Sequence, residues 1–244
     1  MANTYFQFKQ FTIHQDRCAM KVCTDACLFG AVVAHCPPCL PAGSLPGTHC
    51  LDIGTGTGLL SLMVAQKDPD AVIDAVEIDK TAFQQAKENF ESSPWKDRLH
   101  IFNTDITNFK TDNKYDLIIC NPPFFENDLR STDEIKNKAK HGGSLNFDEL
   151  LKIAVTFLSD KGSFALLLPY HRVASFEIMA AAQNLYLSNK ILVRQTAAHS
   201  FFRGILIFSK EKKEIKSAEI VIKNKEGEYT TEFTGMLKDY YLHA

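Results

Sequence analysis

Two short motifs in this 244-residue chain combine residue types that could hold a nucleotide-like ligand and activate an amine. The first is a glycine-rich turn over residues 52–58 (DIGTGTG), and the second is the tetrapeptide over residues 121–124 (NPPF). A glycine turn can present backbone N–H groups and a helix N-terminus to a ligand. An amide side chain, two prolines and an aromatic ring can grip a planar amino group. Together the two motifs predict methyl transfer to nitrogen.

The second motif matches what such a transfer requires. An adenine amino group or a glutamine amide is a poor nucleophile, because its lone pair is delocalised into a π system. The Asn121 side-chain oxygen and the Pro122 carbonyl could each accept one N–H and direct the lone pair toward a methyl donor. Proline stiffens the backbone, and an aromatic face stacks a base for about 1–3 kcal/mol. We therefore predict a catalytic motif formed by Asn121, Pro122, Pro123 and Phe124.

The glycine spacing separates classes of nucleotide cofactor. Gly54, Gly56 and Gly58 lie between a predicted strand and a predicted helix. A dinucleotide-binding fingerprint would place its third glycine at position 59, which is Leu59 in this chain. The spacing therefore weakens the assignment of a pyrophosphate-binding loop without excluding it. A tight strand–helix turn with no ligand is the structural alternative.

Acidic residues end successive predicted strands. We expect Asp52 to organise the glycine loop and face a cationic ligand, since opposite charges attract at short range. Glu77 could accept both hydroxyls of a ribose, and Asp105 could accept a hydrogen bond from an adenine amine. A solvated strand end is the alternative for Glu77, and a helix or turn cap is the alternative for Asp105. Three acids and three glycines in this order favour a cationic adenosine ligand.

The elements that must position these motifs follow an alternating pattern. Near-continuous apolar runs, such as residues 164–168, are typical of parallel strands covered by helices on both faces. We predict a doubly wound α/β sheet with strands at 49–53, 71–77, 99–103, 115–120, 163–168, 189–196 and 203–209, and helices at 58–67, 80–92, 147–158 and 172–184. Residues 197–202 are too few for a helical crossover, so the last two strands should be antiparallel.

A single domain over residues 1–244 is predicted, with a core sheet at 48–210. The N-terminal part, 1–47, should contain a strand-like arm at 5–13 and a helix at about 26–36, capped by Thr24 or Asp25. The C-terminal part, 211–244, should contain a charged hairpin at 215–233 and a short helix at 234–242. Residues 126–146 come after the tetrapeptide without a predicted element, and a loop of this length is usually a lid, a binding loop or disordered.

Composition narrows the classes of protein further. Apolar residues make up 45% of the chain, which is ample for a buried core. No apolar run of membrane-spanning length and no export signal is evident, so we expect a cytoplasmic protein with no membrane association and no obligate protein partner. The net charge of −2 means that nucleic acid would have to bind a local cationic patch. Candidate cations are Lys9, Arg17, Lys21, Arg130, Lys136, Lys138, Lys140, His141, Arg172, Arg194 and Arg203.

Six of the seven cysteines lie within the first fifty residues. Cys23, Cys27, Cys36 and Cys39 could supply four thiolates to zinc. Buried free cysteines are common, however, and disulfides are unusual without export. We therefore predict neither a metal site nor disulfides.

Longer segments resemble the bacterial tRNA(Val) adenine-37 N6-methyltransferases, which are class I S-adenosylmethionine-dependent methyltransferases. The similar segments are the glycine loop and residues 8–22, 121–125, 140–147, 229–233 and 239–242. The resemblance implies a Rossmann-like fold, S-adenosylmethionine as the cofactor and an adenine of a tRNA anticodon loop as the substrate. It also implies that the loop at 52–58 holds the amino-acid part of the cofactor, Glu77 the ribose and Asp105 the adenine.

The chain departs from this family at two places. Phe124 replaces the commoner tyrosine, and stacking needs no hydroxyl. Cys23 and Ala26 stand where glycines are expected, which leaves open whether Lys21 or Thr24 contacts the cofactor.

Three other functions remain as alternatives. A protein glutamine N5-methyltransferase uses the same tetrapeptide, but such enzymes usually carry a helical substrate domain before the glycine loop. A nonenzymatic RNA-binding module is disfavoured by the intact Asn121 and Glu77. A nicotinamide oxidoreductase is disfavoured by Leu59 and by the lack of an evident Tyr-Lys or His arrangement.

Overall fold

The computed structural model describes residues 3–18, 20–35, 48–122 and 145–243. A hairpin of β1 (Tyr5–Gln7) and β2 (Thr12–His14) precedes helix α1 (Thr24–His35). The later elements are β3 (His49–Ile53), α2 (Leu59–Lys67), β4 (Val72–Glu77), α3 (Lys80–Glu91), β5 (Leu99–Asn103), β6 (Tyr115–Cys120), α4 (Phe147–Phe157), β7 (Leu158–Pro169), α5 (Tyr170–Ala182), β8 (Tyr186–Arg194), β9 (Phe201–Ser209), β10 (Lys216–Val221) and α6 (Thr231–Leu237).

Among the described residues, eight strands form a central sheet in the order β10-β8-β9-β7-β6-β3-β4-β5. Strand β9 runs antiparallel to β7 and β8, and the other neighbouring pairs are parallel. This confirms the predicted doubly wound α/β sheet with one antiparallel strand. The chain winds outward from β3 to β5 and then returns to place β6 beside β3. A crevice for ligands is expected at such a switch point, at the carboxyl ends of the strands.

The sheet is buried on both faces, because successive side chains of a strand point to opposite sides. Cys50 packs into the apolar layer formed with α1, α2 and α6. The next residue, Leu51, packs into the layer formed with α4 and α5. These two layers explain the continuous apolar runs seen in the sequence.

Two predicted features near the chain ends are wrong in detail. Helix α1 already begins at Thr24, so neither Thr24 nor Asp25 precedes the helix as a cap; Asp25 instead pairs with Arg203 at 2.7 Å. The predicted hairpin over 215–233 is shorter than expected: β10 pairs in parallel with β8, and antiparallel pairing is confined to the bridge between Lys223 and Tyr229 around the predicted turn at 225–228. The open edge of β8 offers unpaired backbone groups to β10.

The terminal helix lies at Thr231–Leu237, earlier than the predicted 234–242. The predicted loop over 126–146 lies outside the described residues except at its end, where Asn146 caps α4 by accepting a hydrogen bond from the Glu149 N–H at 2.9 Å. None of the helices in the described ranges combines the length and apolar character needed to cross a bilayer.

Candidate functional site

The strand register brings both sequence motifs to one edge of the sheet. Ile53 of β3 lies opposite Val76 of β4 on one side and opposite Cys120 of β6 on the other. Because these strands are parallel, the residues immediately after them meet at the same edge. The glycine loop, Glu77 and Asn121 therefore surround the switch point between β3 and β6.

The glycine loop adopts a backbone that other residues rarely adopt. Gly54, Gly56 and Gly58 have φ angles of 70°, 58° and 83°. A Cβ atom on Gly54 or Gly56 would meet no atom within 4 Å, whereas one on Gly58 would lie 2.5 Å from the Phe90 ring. Two glycines thus border open space suited to a ligand, and the third allows α2 to pack against α3.

Glu77 ties the loop to β4. Its Oε2 accepts a hydrogen bond from the Gly56 N–H at 2.9 Å, and its Oε1 accepts one from the Asp79 N–H at 2.9 Å. The carboxylate is buried, so the alternative of a solvated strand end is wrong. A carboxylate has about four acceptor positions. Two therefore remain for the hydroxyls of a ribose.

Asp52 is fully buried beneath the loop. Its Oδ2 accepts hydrogen bonds from the hydroxyls of Thr55 and Ser61, at 2.7 and 2.6 Å. Its Oδ1 is buried with no hydrogen-bond partner among the described residues. Burial raises the pKa of Asp52 to about 6, against the opposing effect of the two hydroxyls. An unpaired buried carboxylate oxygen beside open glycines fits a ligand that carries positive charge.

Asp105 caps its own turn, which was the alternative to cofactor binding that the sequence left open. Its Oδ1 accepts hydrogen bonds from the Thr107 N–H at 2.9 Å and the Thr107 hydroxyl at 2.8 Å, which caps a short 3₁₀ helix. Its Oδ2 has no hydrogen bond within the described part of the chain. That oxygen can still accept a bond from an adenine amine.

Asn121 presents an unused acceptor at the end of β6. Its side-chain Oδ1 is buried and finds no partner among the described residues. Pro122 beside it is half-buried. Pro123 and Phe124 lie outside the described residues. Since a buried acceptor without a partner costs about 1–3 kcal/mol, this orphaned oxygen is consistent with a site built to receive a donor.

Sequence reasoning missed one residue beside the loop. Asn89 of α3 is buried, and its Oδ1 accepts a hydrogen bond from the His14 N–H at 2.9 Å. Its Nδ2 donates to the carbonyls of His14 at 2.9 Å and Thr57 at 2.8 Å. The N-terminal hairpin is thereby bonded to the glycine loop. The signal available in the sequence was an asparagine on the buried face of an amphipathic helix.

Several of the candidate cations are engaged within the protein. Arg17 pairs with Glu88, Arg194 with Glu219, and Arg203 with Asp25. Lys9 donates to the Lys238 carbonyl, and Lys21 donates to the Asn3 carbonyl at 3.4 Å. Thr24, whose contact with the cofactor the sequence left open, is the first residue of α1. The candidates over 130–141 lie outside the described residues.

The cysteine segment gives no support for a metal. Cys36 and Cys39 lie outside the described residues, and the described ones contain no group of three or more metal-ligating side chains. Burial raises the pKa of the Cys27 thiol to about 12, so this thiol is protonated at neutral pH in the absence of a metal.

The sequence matches known methyltransferases along its whole length. The model of the Methyltransferase small domain family matches residues 38–173. A Dyadobacter fermentans protein named tRNA1(Val) (adenine(37)-N6)-methyltransferase is 42% identical over 98% of each chain. Proteins of the same name from Cytophaga hutchinsonii, at 40% identity over 100% of each chain, and Bacteroides thetaiotaomicron, at 37% identity over 100% of this chain and 99% of that one, are also similar.

Solved structures share the fold at low sequence identity. A predicted O-methyltransferase from Agrobacterium tumefaciens superposes with a TM-score of 0.63 at 14% identity, over 86% of this chain and 95% of that one. A putative class I S-adenosylmethionine-dependent methyltransferase from Listeria monocytogenes gives a TM-score of 0.60 at 16% identity, over 79% of this chain and 64% of that one. These similarities establish a class I methyltransferase fold.

Proposed function

The chain belongs to the family of tRNA1(Val) (adenine(37)-N6)-methyltransferases, and we propose that it methylates N6 of adenine 37 in a valine tRNA. It is an S-adenosylmethionine-dependent enzyme, as its family and fold require. A tRNA substrate also favours the cytoplasm as its location. An anticodon loop suits such a site, because an adenine there can leave its stack at low cost.

The observation that carries this proposal is the buried, unpartnered Oδ1 of Asn121 at the switch point. We assign that oxygen to accept one N–H of the adenine amine, with the Pro122 carbonyl accepting the other. Two acceptors on one side of the amine draw its lone pair out of conjugation and toward the cofactor. Proline would hold these acceptors in place before the substrate arrives. Phe124 would stack on the adenine, and Pro123 would hold the turn rigid.

The cofactor would occupy the open space beside Gly54 and Gly56. S-adenosylmethionine would supply a methyl group on a sulfonium sulfur, and transfer of that group to the amine nitrogen would release the neutral thioether and one amine proton. The Oδ1 of Asp52 would face the cationic amino-acid part of the cofactor, directly or through water. Glu77 would bind the ribose through its remaining lone pairs, and Asp105 the adenine amine through Oδ2.

Replacing Asn121 with alanine tests the role of its side chain. Asn121→Ala should lower kcat on tRNA about 100- to 1,000-fold, by analogy with loss of one preorganised polar group. The Kd for S-adenosylmethionine should change little, because the glycine loop is untouched. Single-turnover methylation of unmodified tRNA and calorimetric titration of the cofactor measure the two effects.

The matched control is Asn113→Ala, since Asn113 is exposed and precedes β6, at the opposite end of the strand from Asn121. Equal activity in Asn121→Ala and the parent would contradict the amine-binding role. The products separate the proposal from its rival, a protein glutamine N5-methyltransferase. Labelled N6-methyladenine in digested tRNA supports the proposal, whereas labelled glutamine in a peptide substrate would replace it. The hairpin that precedes α1 differs from a helical substrate domain.

A further inference from the structure

Beyond β6, the edge of the sheet that carries Asn121 continues across β7, β9 and β8. Strand β7 ends at Pro169 and leads directly into Tyr170, the first residue of α5. Strand β9 runs in the opposite direction, so it begins at this edge with Phe201, opposite Arg194 at the end of β8. Tyr170, Phe201 and Arg194 thus follow one another along the edge that starts at the proposed amine site.

Phe201 contacts both of the other side chains. The ring centroids of Tyr170 and Phe201 are 5.4 Å apart at an interplanar angle of 47°. The Arg194 guanidinium lies 4.4 Å from the centroid of the Phe201 ring. Tyr170 is 43% exposed, and Phe201 is half-buried. The cluster therefore presents aromatic surface to solvent and is not part of the core.

A register shift explains how Phe201 reaches this position. Arg203 lies opposite Val193 and Phe201 lies opposite Arg194, so Phe202 has no partner in the ladder. An extra residue of this kind changes which side of the sheet the next side chain faces, and such bulges are common beside active sites. Phe202 packs against the layer on the α1 side, whereas Phe201 contacts α5 through Tyr170.

We propose that Tyr170, Phe201 and Arg194 form a stacking platform for an RNA base that neighbours the methylated adenine. The proposal rests on the proposed function, because it takes the adenine at Asn121 as its origin. Aromatic rings and planar guanidinium groups are the side chains on which single-stranded bases stack. Neighbouring strands lie about 4.8 Å apart, so Tyr170 is about 5 Å and Phe201 about 10 Å to the side of β6. A nucleotide next to the extruded adenine can span that distance.

The ion pair of Arg194 favours base stacking, in preference to phosphate binding, as the role of the platform. Glu219 pairs with the Arg194 guanidinium and neutralises it. The platform should therefore contribute binding free energy that depends weakly on salt, unlike a contact between a free cation and a phosphate.

The test compares Tyr170→Ala with the parent in binding an anticodon stem-loop RNA. Loss of one stacked base should weaken Kd about 10-fold at both 50 and 200 mM salt, within the range expected of base–aromatic stacking. Tyr170→Phe should bind as the parent does, because only the ring is required. The matched control is Ile178→Ala, since Ile178 lies on the same helix and is 73% exposed. The Kd for S-adenosylmethionine should be unchanged in all variants.

Abasic substitution identifies the stacked nucleotide. Removing the base one or two positions from the target adenine should weaken binding by the parent, and at the stacked position it should abolish the difference between parent and Tyr170→Ala. A full 10-fold difference at every abasic position would overturn the platform. Equal Kd values for Tyr170→Ala and Ile178→Ala would also overturn it.

The same RNA separates this proposal from the function on which it rests. If the parent methylates the target adenine but Tyr170→Ala binds normally, only the platform fails. If Tyr170→Ala loses base-dependent binding while the parent leaves the adenine unmodified, the platform stands and the proposed reaction fails. Phe201→Ala should repeat the Tyr170→Ala result, and its melting temperature shows whether the fold survives.

Discussion

At the scale of single residues, burial of the Asp52 carboxyl has an energetic cost. A pKa of about 6 means that the buried carboxyl holds its negative charge less readily than an exposed one. The raised pKa corresponds to a cost of roughly 3 kcal/mol for the ionised carboxyl of the folded protein. This cost is full above about pH 6, diminishes as pH falls from the folded pKa toward the ordinary carboxyl value, and is absent below that value. Below the folded pKa, the mostly protonated carboxyl would attract a cationic ligand less.

Asp52→Asn tests this account through the pH dependence of stability. Between about pH 4 and 6 the folded parent binds more protons at this site than the unfolded chain, so acidification favours the folded state through Asp52. The variant lacks that gain. Relative to the parent, the free energy of unfolding of Asp52→Asn should therefore be about 1–3 kcal/mol higher at pH 8 than at pH 5, so the variant gains stability at the higher pH. Urea denaturation at both pH values measures it.

Cofactor binding should change in the opposite sense. Asp52→Asn should weaken binding of S-adenosylmethionine more at pH 8 than at pH 5, because only the ionised parent attracts the cationic ligand. Asp70→Asn serves as the control, since Asp70 is exposed. Identical pH profiles for Asp52→Asn and Asp70→Asn would show that burial of Asp52 has no energetic consequence.

The sequence identified the important side chains better than it predicted the hydrogen bonds that they make. Asn121 and Asp52 could be identified because an amide directly after a strand, or an acid directly before a glycine turn, has few other structural roles. That Glu77 binds the Gly56 N–H, and that Asp105 caps its own turn, depends on the path of the backbone after each strand. Residue types alone do not specify that path.

At the scale of elements, Asn89 connects the N-terminal hairpin to the glycine loop. Asn89→Ala removes all three hydrogen bonds and leaves the buried Thr57 carbonyl without this donor. We expect about a 10-fold increase in the Kd for S-adenosylmethionine, with a smaller change in kcat at saturating cofactor. Hydrogen exchange should become faster at residues 12–14 and 55–58 together.

Two further variants refine this prediction. Asn89→Asp keeps the acceptor for the His14 N–H but cannot donate to Thr57, so it should also weaken cofactor binding. Gln84→Ala, on the exposed side of the same helix, should have no effect. A purely structural role for Asn89 predicts lower stability in Asn89→Ala with an unchanged Kd for the cofactor.

The spacing of apolar residues predicted most of the helices and strands, because it reflects which face of each element is buried. The partner of each strand was harder to predict. Residues 216–221 could pair as a hairpin with the next segment of the chain or add to the sheet beside β8, and the local pattern permits both. The choice depends on an open edge created by strands that lie earlier in the chain. Long-range pairing of this kind leaves little trace in a single sequence.

At the scale of the whole molecule, the two ends of the chain pack together. The Lys9 N–H donates to the Tyr240 carbonyl at 2.8 Å, and the Tyr241 ring lies 5.7 Å from Phe6 and 6.1 Å from Phe8. The C-terminal segment thus supports the hairpin, which reaches the glycine loop through Asn89. No pattern within either end alone predicts this contact, because each supplies only half of the apolar surface.

Tyr241→Ala should separate these ends. Loss of a largely buried aromatic ring costs about 3–5 kcal/mol when the cavity does not collapse, and the ring contacts here lie mainly on the hairpin. Under native conditions, we expect hydrogen exchange to accelerate at residues 5–14 while β3 and β6 remain protected. The Kd for S-adenosylmethionine should rise, since the hairpin would no longer hold Asn89 against Thr57.

Leu242→Ala is the control, because Leu242 is 46% exposed. Equal acceleration at residues 5–14 and in β6 would instead mean that the paired ends open only with the whole sheet, and the C-terminal segment would then have no separate influence on the cofactor site.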